Sequence, residues 1–159
     1  RSQMTDSPAL YRLRDLGIQL PTPPQPAGAY TRSVRSGNQI FVSGQLPLAD
    51  GEMAFCGPVG DAGLSVEDGA AAARLCALNA LSILNADAGG LDGLRILRMT
   101  GYVATAGDFT GQAQVMNGAS ELMAAVLGEL GIHARVAVGV QRLPLDAAVE
   151  LEVIAELQS

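Results

Sequence analysis

The C-terminal part of the chain constrains its fold most. Residues 133–142 and 147–157 both alternate in character with a period of two, the period of an extended strand. In the second segment Val149, Leu151, Val153, Ala155 and Leu157 form an apolar stripe. Glu150, Glu152 and Glu156 lie opposite, with Ile154 among them. In the first, Val136, Val138 and Val140 share one side, and Arg135, Ala137, Gly139 and Gln141 share the other. Strands with one apolar face need a cover, and helices are the usual one.

Two segments supply it. Ser65-Val66-Glu67-Asp68 opens a helix with a serine cap and an acid at the third position. Leu75, Leu78, Leu81 and Leu84 continue it at helical spacing until Ala88-Gly89-Gly90. A second helix is predicted over roughly 111–130, with Val115, Met116, Leu122, Met123, Val126 and Leu127 on its buried side and Gly131 as its stop. Residues 29–34 and 39–44 read as strands joined around Arg35-Ser36-Gly37-Asn38. The stretch 46–63 reads as irregular, with a turn at Asp50-Gly51, and 94–105 reads as a strand. The order is hairpin, helix, strand, helix, strand pair. It predicts a two-layer α+β domain, a mixed sheet with two helices on one face.

Ahead of this domain, Ser7 and Pro8 start a short helix that Gly17 ends, and the prolines at 21, 23, 24 and 26 make an extended linker. The expected division is residues 1–28 as helix and linker, and 29–159 as a single domain. Arg1-Ser2-Gln3 reads as a cloning remnant, with Met4 as the native start.

Composition excludes several chemistries. All ten cationic residues are arginine, so no lysine can form a Schiff base or serve a phosphate-binding loop. His133 is the only histidine. It is expected in a turn rather than in catalysis. Cys56 and Cys76 form no metal-binding spacing and read as free thiols. No metal and no cofactor are expected. The net charge of −6 argues against a nucleic-acid partner. No apolar run approaches the roughly 20 residues of a membrane span, so a cytoplasmic protein is expected.

If both apolar stripes pack under the helices, Arg135 and Glu150 project from the same, helix-free face. The small residues Ala137 and Gly139 on that face would admit a second backbone. A homo-oligomer with a pocket at the subunit boundary is therefore expected. Pairing of the last two strands through a tight turn would still leave Arg135 and Glu150 on the order of 10 Å apart.

Several segments resemble the Rid (reactive intermediate deaminase, or YjgF) family. Gly28-Ala29-Tyr30 resembles its Gly-Pro-Tyr start, and residues 41–47, with Ser43-Gly44-Gln45 and Pro47, resemble its first long strand end. Asp108-Phe109 followed by Asn117 resembles its second-helix entry. Ala134-Arg135, Leu143-Pro144, Glu150 and Glu152 resemble its C-terminal signature. The resemblance covers about 30–156 and lies in the order and spacing of these segments together.

The resemblance implies a chorismate-mutase-like subunit, a homotrimer, and clefts between subunits. It implies hydrolysis of enamine and imine acids such as 2-aminoacrylate to 2-keto acids and ammonia. Arg135 matches the arginine that holds the substrate carboxylate, and Glu150 the acid that handles the attacking water. Tyr30, Ser43 and Gly44 match pocket positions, Tyr30 being assigned to the catalytic set with Glu150. Ala137 stands where many members have a cysteine, and Ala29 where proline is usual. This is a longer variety of the family lacking the pocket cysteine. A non-catalytic binder of small carboxylic acids is the alternative, and an endoribonuclease or translation inhibitor a more remote one. On the residues alone, Arg135 reads first as a structural partner of Glu150 or Glu152.

Overall fold

A computed structural model describes residues 7–158; the proposed start at Met4 lies outside the described residues. Helix α1 (Pro8–Asp15) begins at Ser7, whose hydroxyl accepts from the Leu10 amide at 3.1 Å. Strands β1 (Ser33–Ser36) and β2 (Gln39–Gln45) form a tight hairpin. Gly37 supplies its turn with a φ of 61°, a conformation costly to residues with a Cβ. Strands β3 (Leu48–Ala49) and β4 (Glu52–Met53) flank the Asp50-Gly51 turn in the stretch read as irregular. Helix α2 spans Val66–Asp87, and Ser65 Oγ accepts from the Asp68 amide at 3.1 Å. Strand β5 (Leu94–Ala104), helix α3 (Gln112–Leu127), strand β6 (Ala134–Val140) and strand β7 (Val149–Leu157) follow. A single 3-10 turn, Gly128–Gly131, ends the third helix.

The main sheet has the order β1-β2-β7-β5-β6. Only β5 and β6 are parallel. The last two strands are therefore not a pair, as their closeness in sequence suggests. β7 lies between β2 and β5, and β6 is an edge strand joined to the far side of β5. Helices α2 and α3 cover one face. They approach closely because a Cβ on Gly118 would overlap the carbonyl oxygen of Ala70. Gly101 of β5 likewise makes room for the Met116 side chain. Leu81, Leu84, Met99, Met116, Met123 and Leu151 are fully buried between the layers. Each such side chain contributes about 1.5–3 kcal/mol when removed from water. By length and composition α2 could cross a membrane, but much of it is buried in this core.

The N-terminal helix joins the same core, with Ala9 and Leu13 buried. Asp92 fixes its start, accepting from the Ser7 hydroxyl and from the Ala9 amide. Just ahead of Asp92 in the chain, Asp87 closes α2. A carboxylate in a last helical turn is unfavourable, because the helix dipole is negative there. Arg32 offsets this. Its Nε and Nη2 donate to Oδ2 and Oδ1 of Asp87 at 3.0 and 2.6 Å, and Ser33 adds a third bond at 2.6 Å.

The Arg32 bonds hold the Asp87 carboxyl below its ordinary value, more than burial raises it. A depressed carboxyl pKa contributes stability above the unfolded value that is lost as pH falls through the folded one. Arg32→Ala is therefore expected to lower stability by about 1 kcal/mol at neutral pH, as this pair is partly solvated. The difference from the unsubstituted protein should vanish as pH falls past the ordinary aspartate value of 3.8 and through the depressed one. Urea midpoints measured against pH check this.

Candidate functional site

Arg135 does not lie on the helix-free face. In the parallel pairing with β5 it sits beside Met99, which is fully buried under the helices. Alternation then turns Val136 and Val138 outward, 39% and 38% exposed. The sequence expectation fails because it assigned faces by hydropathy. The guanidinium is accommodated on the helix side by a polar strip of α3, and the two valines lie bare in the single chain.

That strip is Ala113, Asn117 and Ser120, spaced to share one side of the helix. Arg135 Nη1 donates to Asn117 Oδ1 at 2.8 Å and to Ser120 Oγ at 3.0 Å. Its Nη2 donates to the Ala113 carbonyl at 3.4 Å. Both Nη1 hydrogens are thus engaged. The Nε–H has no partner among the described residues, and Nη2 makes one bond, at 3.4 Å, with its two hydrogens. Nε and Nη2 together make the side-on edge of the fork, the edge that grips a carboxylate with two bonds. Arg32 uses the same edge on Asp87 within this molecule. Ala137, two residues on, shares the helix side with Arg135 and packs against the core.

Glu150 occupies the other face. It pairs with Tyr102 across β7 and β5, while its neighbours Val149 and Leu151 are fully buried under the helices. The expected sharing of one face by Arg135 and Glu150 is therefore corrected: within one chain the sheet separates them. The Glu150 carboxyl is held above the ordinary glutamate value, first by burial and then by the charge of Glu152. Glu152 accepts from the Tyr102 hydroxyl at 3.1 Å. Gly44 leaves room for the Glu150 carboxylate, since a Cβ there would overlap Oε1 and the acid would have to shift. The β2–β7 register shifts between Val42 and Gln45, which sets Gly44 beside the acid. Ser43 donates its hydroxyl to the Thr31 carbonyl at 2.7 Å, leaving its oxygen able to accept. Tyr30, next to Thr31, is 55% exposed.

The predicted residues thus fall into two groups. One holds Arg135 and Ala137 at the edge strand under α3. The other holds Gly44 and Glu150 on the open face, with Ser43 beside Gly44. That face also carries a concavity of about 340 Å³, lined by Phe41, Arg98, Thr100, Tyr102, Glu152 and Ile154 among others. Ser120 escaped the sequence reading as a site residue, and Asn117 entered only as a family match. The available signal was their spacing from Ala113, which lines two polar groups along the margin of the buried side of α3. Among the described residues, no cluster of three His, Cys, Asp or Glu side chains is arranged for a metal ion.

A sequence model of the family described as Endoribonuclease L-PSP matches residues 21–157. Protein TCP17 of Trypanosoma cruzi is 46% identical over 149 residues, 92% of each chain. Atu1372 of Agrobacterium tumefaciens, a solved protein of unknown function, is 41% identical with a TM-score of 0.86 over 96% of this chain and 93% of its own. TdcF of E. coli, solved with bound serine, is 28% identical with a TM-score of 0.61 over 86% and 93%. A match across nearly the whole domain, on the same α+β architecture, makes this chain a member of the endoribonuclease L-PSP family, the YjgF/Rid family.

Proposed function

We propose that this chain hydrolyses reactive enamine and imine acids of the 2-aminoacrylate type to 2-keto acids and ammonia, in clefts between the copies of a cytoplasmic homotrimer. The observation that carries the reading is the side-on edge of Arg135, whose Nε–H makes no bond within the chain while Asn117 and Ser120 fix Nη1. The bound serine of TdcF, a small carboxylate on a related fold, supports the same ligand class.

2-Aminoacrylate becomes its iminium by taking a proton from solvent at its CH2 carbon; the carbon that bears nitrogen is then electrophilic and asks little of a catalyst. Arg135 fixes the carboxylate. Glu150, from a neighbouring copy, takes a proton from water as the water oxygen bonds to that carbon. The C–N bond of the resulting carbinolamine then breaks as Glu150 returns its proton to the nitrogen, which leaves as ammonia, while the hydroxyl oxygen becomes the keto oxygen and its proton passes to solvent. A carboxyl raised by burial and by Glu152 suits both halves of this exchange. Tyr30, Ser43 and Gly44 line the neighbour's side of the cleft, and Ala137 contributes shape without a thiol. No step needs a metal or cofactor.

The test is release of ammonia or pyruvate from 2-aminoacrylate generated enzymatically in the assay. Acceleration above the spontaneous rate is expected. A folded oligomer giving no acceleration rejects this activity for that substrate. A second reading, a non-catalytic binder of small carboxylic acids, is favoured by Arg135 standing apart from Glu150 in the single chain; binding without turnover would select it. RNA cleavage lost in Arg135→Ala would instead favour the ribonuclease activity in the family's description, which the chain's acidity and lack of lysine oppose.

A further inference from the structure

We infer that Ser120 and His133 are positioning residues for Arg135, fixing which edge of its guanidinium is open to a carboxylate. The inference rests on Arg135 being the carboxylate clamp.

His133 lies between the 3-10 turn and β6, and both of its ring nitrogens are engaged. Nδ1 is 2.7 Å from the Gly131 carbonyl oxygen, and Nε2 is 2.9 Å from Ser120 Oγ. A carbonyl oxygen only accepts, so Nδ1 carries the hydrogen. In the neutral ring Nε2 is then the acceptor, and the Ser120 hydroxyl must donate to it. The serine's lone pairs are left facing Arg135 Nη1, 3.0 Å away.

Three hydrogen bonds therefore run in one direction, from Arg135 through Ser120 and His133 to the Gly131 carbonyl. Chains of this kind polarise one another. With Asn117 as its second acceptor, Nη1 is held at two points. Turning the guanidinium to present another edge would break both bonds. Without Ser120, Asn117 alone holds Nη1 and the fork can swing. His133 makes no bond to Arg135 itself and acts through the serine.

Calorimetric titration of the full-length protein with pyruvate, alongside thermal melting, tests this. The variants are Arg135→Ala, Ser120→Ala, Ser120→Thr, His133→Asn and the double variant of Ser120→Ala with His133→Asn. Arg135→Ala is expected to lose binding. Ser120→Ala and His133→Asn should each weaken it about fivefold, the worth of one hydrogen bond. The double variant should be no worse than the weaker single one, because both changes cut one chain. Ser120→Thr keeps the hydroxyl and should bind like the unsubstituted protein. Asparagine at 133 retains a donor for the Gly131 carbonyl, so the His133→Asn arm carries the test should Ser120→Ala not fold.

Single variants that bind normally while Arg135→Ala does not would overturn the relay and leave the clamp standing. Losses that add in the double variant and follow the melting temperature mean a structural role, and overturn it equally. If Arg135→Ala binds normally, or the unsubstituted protein binds no pyruvate, clamp and relay fall together.

Discussion

Arg135→Ala is expected to lower kcat/KM on small imine acids by about a hundredfold or more while the protein remains folded. Two charge-assisted bonds to a carboxylate are worth about 3 kcal/mol beyond the water they replace, and each 1.4 kcal/mol is a factor of ten. The loss should appear mainly in KM, since the carboxylate is held alike before and during reaction. Stability should change little. The groups that Arg135 leaves behind, Asn117 Oδ1, Ser120 Oγ and the Ala113 carbonyl, line a partly open seam that water can enter. Arg135→Lys keeps the charge but has no fork, and recovers only part of the loss. Steady-state kinetics beside a melting curve separates these effects. An unchanged KM in Arg135→Ala would remove the carboxylate clamp from the mechanism.

The parts of this fold that depend on short-range chemistry were legible in the sequence. Ser7 and Ser65 cap the helices they were expected to cap, because a cap is a contact over three residues. The buried side of β7 was legible because its apolar residues alternate with acids at every intervening position but Ile154. What depends on distant pairing was not. Chain proximity pairs β6 with β7, yet β7 enters between β2 and β5, and β6 crosses to the outer edge. The face of Arg135 then follows from Met99, a residue 36 positions earlier, in register beside it. Hydropathy misled at Val136 and Val138 because an edge strand can leave apolar groups uncovered in a single chain. The family resemblance pointed to Arg135 and Glu150 as functional residues without revealing that the sheet stands between them.

That separation makes a prediction that no site contained in one chain would share. Glu150→Gln is expected to be inactive alone, because the amide cannot take a proton from water. It should fold well, because it removes a charge whose ionised form is disfavoured by burial and by Glu152. Arg135→Ala is strongly impaired for the reason given above. If each cleft takes its arginine from one copy and its glutamate from the next, trimers assembled from both inactive chains contain complete clefts. Every trimer that contains both chains then has one complete cleft of its three, so about a third of full activity should return in the mixed oligomers. Co-expression with two different tags, followed by purification on both, isolates the mixed oligomers. Separately assembled oligomers combined without exchange should stay inactive. A site within one chain predicts no recovery at all, since every chain then carries a defect. Mixed trimers that remain at the level of the single variants would therefore return Arg135 and Glu150 to separate duties, and leave the carboxylate-binding reading without a cleft shared between copies.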